Sequence, residues 1–159
     1  MNFLINVAIL ILCALHFIKT ESHYEYTDKD SGTYFNFSKL KRETNNPWTV
    51  RKDSGIFAEI FRFNFGQNVE FNCRGKQGAI AENTEAFSQP TPICSILGDF
   101  NAKKVELINK QNTREGIIVE YGNGDVCQTG MNMERIPKVS RFYLYCNNKM
   151  DLNVNYDLL

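Results

Sequence analysis

Histidine and closely spaced cysteine pairs are scarce in this chain of 159 residues, and their scarcity excludes several kinds of active site. There are two histidines, and His16 lies in an N-terminal segment that we expect to be removed, which leaves His23. Catalytic triads and dyads built on histidine are therefore not expected. The sequence has no CxxC pair, which argues against a zinc site. We predict no metal, no cofactor and no enzymatic activity.

An excess of charge of one sign is also missing, because 18 basic and 18 acidic side chains give a formal net charge of zero. The basic residues are dispersed apart from small clusters such as Lys39, Lys41 and Arg42. Glu43 follows that cluster, as is typical of a solvated turn. Proteins that bind nucleic acid present a basic stripe together with aromatic side chains for stacking. We therefore predict no nucleic-acid partner.

A single long apolar run is present, over residues 7–18. It is too short and too near the N-terminus for a membrane span, and is typical of a cleaved signal peptide, which we predict over residues 1–22. An uncleaved signal anchor is the alternative. We expect no membrane span in the mature chain and a location in the secretory-pathway lumen (endoplasmic reticulum, Golgi or endolysosomal) or outside the cell. The ending NYDLL is not a KDEL-like retrieval signal.

Cysteine usage agrees with that location. Of five cysteines, Cys13 lies in the predicted signal peptide. An even set remains, which in an oxidising compartment predicts two disulfides whose connectivity the sequence does not fix. The remaining cysteines are Cys73, Cys94, Cys127 and Cys146.

Short runs of β-branched and aromatic residues, separated by Gly, Pro, Asn and Asp, predict an all-β fold. The runs are YFNF, WTV, IFRFNF, NVEFNC, KVELIN, GIIVEY and SRFYLYC. In the last run, Phe142 and Leu144 alternate with polar or tyrosine side chains, as a strand with one buried face requires. We predict one domain over residues 34–159, preceded by a flexible polar tail over residues 23–33.

One stretch departs from this strand pattern. From Arg74 to Ser88 the chain is polar, contains glycine and is rich in Ala and Glu. We predict a loop with one helical turn around AENTEAF, a short full helix being the alternative. Earlier in the chain, Asn36-Phe37-Ser38 is an acceptable N-glycosylation sequon. Asn36 is therefore a candidate glycosylation site, and an unused sequon inside a strand is the alternative.

The segment EGIIVEYGNGDVC, from Glu115 to Cys127, is the most informative part of the sequence. A strand is expected to end at Tyr121. The turn residues Gly122, Gly124 and Asp125, with Asn123 between them, then supply the positive φ angles that a tight turn demands. PKVSRFYLYC follows after a loop, and its cysteine ends an aromatic strand.

This arrangement resembles the mannose 6-phosphate receptor homology (MRH) domain, the lumenal lectin module of lysosomal-enzyme receptors, of the glucosidase II β subunit and of endoplasmic-reticulum quality-control lectins. The family's elements read here as Tyr121, Gly124-Asp125, Cys127, Lys138, Ser140 and Cys146. YFNFSKL, PWTV, FRFNFGQNVEFNC and PTPICSILGDF are similar to other strands of the module. The resemblance implies a flattened antiparallel β-barrel or sandwich of the mannose 6-phosphate receptor type.

The resemblance also implies a sugar pocket built from Gln, Arg, Glu and Tyr side chains. The Arg position is Lys138, which keeps the charge but loses the guanidinium fork. The Gln position is Ser95, with Gln89 close enough to replace it through a shift in alignment. The family's Glu and Tyr lie on closing strands beyond the position of Cys146, where this sequence has a short tail. Lys138, Ser95 and Gln89 are the candidate carbohydrate-binding residues.

The disulfides implied by the resemblance begin with Cys73–Cys94. In the family, the cysteines at the positions of Cys127 and Cys146 pair with later cysteines, which this sequence does not contain. We therefore expect a Cys127–Cys146 pair, the alternative being a domain that is incomplete at its C-terminus.

The implied function is a lectin-like domain that recognises mannose-type N-glycans on glycoproteins for sorting or quality control. The alternative is an MRH-like module that keeps the fold without binding sugar and acts as an adaptor or structural part. Paired carboxylates for glycoside hydrolysis are a weaker hypothesis, since Glu120 and Asp125 occupy strand and turn positions where solvated acids are the norm.

Overall fold

A computed structural model describes residues 23–55, 57–71, 73, 75–86, 93–129, 134–146 and 154–158. The predicted signal peptide and Gln89 lie outside the described residues. The regular structure is antiparallel strand, with two short 3-10 turns at Ser38–Leu40 and Phe100–Ala102. The strands are β1 (Glu25–Thr27), β2 (Tyr34–Asn36), β3 (Trp48–Ser54), β4 (Phe57–Phe63), β5 (Ile80–Ala86), β6 (Ile93–Gly98), β7 (Lys103–Leu107), β8 (Gly116–Tyr121), β9 (Val126–Thr129), β10 (Glu134–Pro137), β11 (Ser140–Tyr145) and β12 (Val154–Leu158).

Two four-stranded sheets form the body of the fold, in the orders β3-β4-β5-β6 and β12-β11-β8-β7. Two small sheets pair β1 with β2 and β9 with β10. The predicted all-β class with antiparallel sheets is confirmed, and the arrangement is compatible with a β-sandwich. The pairings among the described residues do not close into a barrel. Across the same ranges, no helix has the length and apolar character needed to cross a membrane.

The core lies between the two large sheets, because both contribute to one buried cluster. The first sheet supplies Phe61, Phe63, Ile80 and Leu97, and the second supplies Leu107, Ile117, Val119, Tyr121, Phe142 and Leu144. In β11 every second side chain is buried, as the alternation in the sequence predicts. Burial of each Leu, Ile, Val or Phe contributes roughly 1.5–3 kcal/mol, so this shared cluster holds the sheets together.

Strand β5 lies where the sequence predicts a loop with a helical turn. It is hydrogen-bonded on both sides, to β4 and to β6, and is therefore an interior strand of its sheet. Ala81 and Asn83 are buried on its outer face. The prediction of a helical turn is wrong because the low strand propensity of Ala, Asn and Glu is outweighed by pairing with two neighbouring strands.

Residues 23–33, predicted as a flexible tail, instead contribute strand β1, which pairs with β2. Tyr24 and Tyr26 pack against the core. The Tyr24 ring lies directly against Gly66 and leaves no room there for a Cβ. The structure differs from the prediction because two tyrosines anchor a segment whose other residues are mostly polar.

Candidate functional site

The turn after β8 depends on two residues for different reasons. Asn123 has a φ of 54°, the left-handed conformation expected somewhere in this turn. Gly124 is required for space, because a Cβ there would lie 2.7 Å from the Leu97 carbonyl carbon and 2.8 Å from the Lys138 oxygen. The Gly-Asn-Gly sequence therefore lets the turn come into backbone contact with two other segments.

Asp125 fastens this turn to the free edge of β6. Its N–H donates to the Ile96 carbonyl at 2.7 Å, and its carboxylate accepts the Ile96 N–H at 2.9 Å. Its own carbonyl accepts the Lys138 N–H at 3.1 Å. The turn thus provides hydrogen-bond partners for the backbone of Ile96 at the edge of β6. The backbone of Lys138 is held next to this strand, which also carries Ser95.

Lys138, Ser95 and Glu82, together called the Lys138 site, meet where this turn joins the two large sheets. The Lys138 Nζ donates to the Ser95 Oγ at 2.8 Å and lies 3.8 Å from a carboxylate oxygen of Glu82. Glu82 and Ser95 are directly opposite each other on β5 and β6. The side chains of Lys138 and Glu82 are 25% and 20% exposed, so both are largely shielded from water but not fully enclosed.

Two of the three candidate sugar-binding residues, Lys138 and Ser95, are therefore in contact, while Gln89 lies outside the described residues. The sequence patterns do not point to Glu82, because they predict a loop where the structure has strand β5. The alternation of a strand could have identified Glu82. Ile80 is a core residue, and Glu82, two positions later in the same strand, points to the same face of the sheet. Phe61, which lies opposite Glu82 on β4, is also a core residue.

The charges around the site are balanced. Lys76 Nζ lies 2.6 Å from the Asp125 carboxylate. Burial of that carboxyl opposes its ionisation, but hydrogen bonds from Lys76 and the Ile96 N–H, with the charges of Lys76 and Lys138, outweigh this effect, so the pKa of Asp125 lies below its usual value. Two cations and two carboxylates thus share this corner of the molecule. Among the described residues, no group of three or more His, Cys, Asp or Glu side chains is placed to hold a metal ion.

The disulfide bonds differ in part from the expected set. Cys73 and Cys94 are joined, with 5.7 Å between their Cα atoms. This bond ties the loop after β4 to β6, one residue before Ser95, and so restrains the strand that carries the site.

The second expected pair, Cys127–Cys146, is not formed in the structure, and both cysteines are free thiols. Cys127 lies two residues after Asp125, near the end of β11 that follows Lys138. Cys146 is at the other end, where its N–H donates to Glu115. The six residues of β11 separate the two ends by roughly 20 Å, whereas a disulfide needs Cα atoms within about 7 Å.

The sequon residue Asn36 lies at the end of β2 with an exposed side chain. Its Oδ1 accepts the Ser38 N–H at 2.9 Å, and its Nδ2 donates to the Tyr34 hydroxyl at 3.3 Å. The amide nitrogen that would carry a glycan is therefore at the surface, on the N-terminal hairpin rather than at the Lys138 site.

No family model, curated protein or solved structure matches the chain. The resemblance to the MRH domain is neither strengthened nor weakened by this result. Any function assigned to the chain therefore depends on the sequence motif and on the geometry of the Lys138 site.

Proposed function

We propose that the chain is a lectin-like domain of the secretory pathway that binds mannose-type N-glycans at the Lys138 site. One observation carries this proposal. Lys138 and Ser95, chosen from the sequence as pocket positions and 43 residues apart, are joined by a hydrogen bond of 2.8 Å. The family resemblance assigns both residues to the sugar pocket, and their contact in the structure supports this shared role.

The chemistry of the three side chains suits the hydroxyl groups of a hexose. The ammonium of Lys138 donates, the carboxylate of Glu82 accepts, and the hydroxyl of Ser95 does both. Neighbouring sugar hydroxyls each donate and accept, so they need donors and acceptors close together. An ammonium has three donors, and Lys138 therefore keeps its bond to Ser95 while binding a ligand.

The site is built on restrained parts of the fold, which favours binding. Glu82 and Ser95 lie on paired strands, and Cys94, next to Ser95, is held by a disulfide. The backbone of Lys138 is held by Gly124 and Asp125. Side chains that are already ordered lose less conformational entropy when a ligand binds. The Cys73–Cys94 disulfide also supports a location in an oxidising compartment.

Titration calorimetry with methyl α-mannoside, together with a glycan array, tests the proposal. We expect the chain to bind mannose-type glycans, and Lys138→Ala to weaken that binding at least about tenfold, the effect of losing one charged hydrogen bond. Lys104→Ala is the matched control, because Lys104 is 79% exposed and pairs with Glu120 on the other sheet.

The alternative function has its own distinct result. If the folded chain with its disulfide intact binds no glycan on the array, the lectin proposal fails. The non-sugar-binding adaptor then becomes the better hypothesis. Equal loss of binding in Lys104→Ala and Lys138→Ala would also contradict the assignment of the site.

A further inference from the structure

Two lysines, Lys138 in the site and Lys76 beside the adjoining turn, are each paired with a carboxylate. Glu82 lies 3.8 Å from the Lys138 ammonium, and Asp125 lies 2.6 Å from the Lys76 ammonium. The formal charges of these four side chains cancel. An incoming ligand therefore meets a polar surface without net positive charge.

We propose that Glu82 is the residue that sets the charge selectivity of this site, favouring neutral sugars and excluding phosphorylated ones. This inference rests on the proposed function and adds the class of glycan to it. Glu82 is carried by β5, which none of the motifs behind the family resemblance includes.

The exclusion of a phosphate follows from the position of Glu82. A phosphate that approaches the Lys138 ammonium also approaches the Glu82 carboxylate, because this carboxylate lies 3.8 Å from the ammonium. Like charges at such distances repel, and the repulsion is stronger where the groups are largely shielded from water. Both side chains are at least three-quarters buried, so water screens this repulsion less than at an open surface.

The same geometry suits a neutral sugar. A hexose carries no charge that must be removed from water, and its hydroxyls can donate to Glu82 while accepting from Lys138. Sites that bind phosphate generally present several unpaired cations or the fork of an arginine. Here the second lysine of the cluster, Lys76, is already held by Asp125.

The test compares methyl α-mannoside with mannose 6-phosphate by titration calorimetry on the full chain. We expect the wild-type chain to bind methyl α-mannoside at least about tenfold more tightly, the scale of one screened like-charge contact. Glu82→Gln keeps the size of the side chain and removes its charge. We expect this variant to change the ratio of the two affinities about tenfold in favour of the phosphate, and its phosphate binding to weaken as salt is added.

Matched variants separate charge from fold. Glu59→Gln removes a carboxylate that pairs with Lys52 at 3.6 Å on the same face of the sheet, and we expect it to leave the ratio unchanged. Glu82→Asp keeps the charge, and we expect it to keep the wild-type preference for the neutral sugar.

Each contrary result is distinguishable. Equal or tighter binding of mannose 6-phosphate by the wild-type chain overturns the inference, even if Glu82→Gln does not fold. An unchanged ratio in folded Glu82→Gln overturns it as well. If the wild-type chain binds neither sugar, the proposed function fails and this inference fails with it.

Discussion

Asp125→Ala is the substitution that should most affect the turn that joins the two sheets. The Asp125 carboxylate accepts a 2.9 Å hydrogen bond from the Ile96 N–H at the edge of β6. It also forms a 2.6 Å ion pair with Lys76, whose side chain is 67% exposed. Removing the carboxylate leaves the Ile96 N–H without this partner, at the point where the first sheet meets the segment before β11.

The magnitude of the loss follows from these two contacts. A hydrogen bond to a charged group contributes about 1.5–3 kcal/mol. The ion pair with the exposed Lys76 adds less than about 1 kcal/mol because water screens it. We therefore expect Asp125→Ala to lower the free energy of unfolding by about 2–3 kcal/mol at pH 7. Urea unfolding measures this change, followed by the fluorescence of the single tryptophan, Trp48, which packs against the core.

The loss should also depend on pH in a defined direction. Since the pKa of Asp125 is lowered on folding from the usual value of 3.8, its ionised form stabilises the fold above that value. This stabilisation disappears as the pH falls through the lower pKa of the folded state. The difference in stability between Asp125→Ala and wild type should therefore shrink below about pH 4.

Asp53→Ala is the control, because Asp53 is also paired with a cation, Arg51, but its side chain is 68% exposed. We expect it to change the free energy of unfolding by less than about 0.5 kcal/mol. Equal stability of Asp125→Ala and Asp53→Ala, or a loss in Asp125→Ala that does not change with pH, would refute the reasoning.

Two further predictions use the same unfolding measurement. Gly124→Ala should lose about 2 kcal/mol or more, because its Cβ would lie within 2.9 Å of three backbone atoms. Gly122→Ala, whose Cβ would have its nearest neighbour at 3.7 Å, should lose less, and equal losses would contradict this account of the turn. Replacing Cys73 and Cys94 together by serine should cost roughly 3 kcal/mol for a separation of 21 residues, and an unchanged unfolding midpoint would contradict that expectation.

Much of the second sheet was predictable from the sequence because its strands have one buried face. The alternation of Phe142 and Leu144 with more polar residues is the pattern that such a strand requires. The turn motif was also predictable from the sequence. The sequence did not show, however, that Asn123 is the residue with a positive φ, and not Gly122 or Gly124. The contact between Lys138 and Ser95 was suggested by family resemblance and not by spacing.

The parts that escaped prediction depend on contacts between distant segments. Strand β5 has poor local propensity, and its state is decided by the strands on either side. Glu82 could not be assigned to the site without that register. The N-terminal hairpin depends on Tyr24 lying against Gly66, a contact across more than forty residues that no local pattern reveals.

The most direct test of the central claim is a titration of the isotope-labelled chain with methyl α-mannoside, followed by NMR through the backbone amide signals. We expect the largest shifts at Glu82, Ser95 and Lys138, with smaller ones at the turn around Asp125. Saturable shifts confined to another surface, or no shifts at all in the folded chain, would contradict the assignment of the Lys138 site as a sugar-binding site.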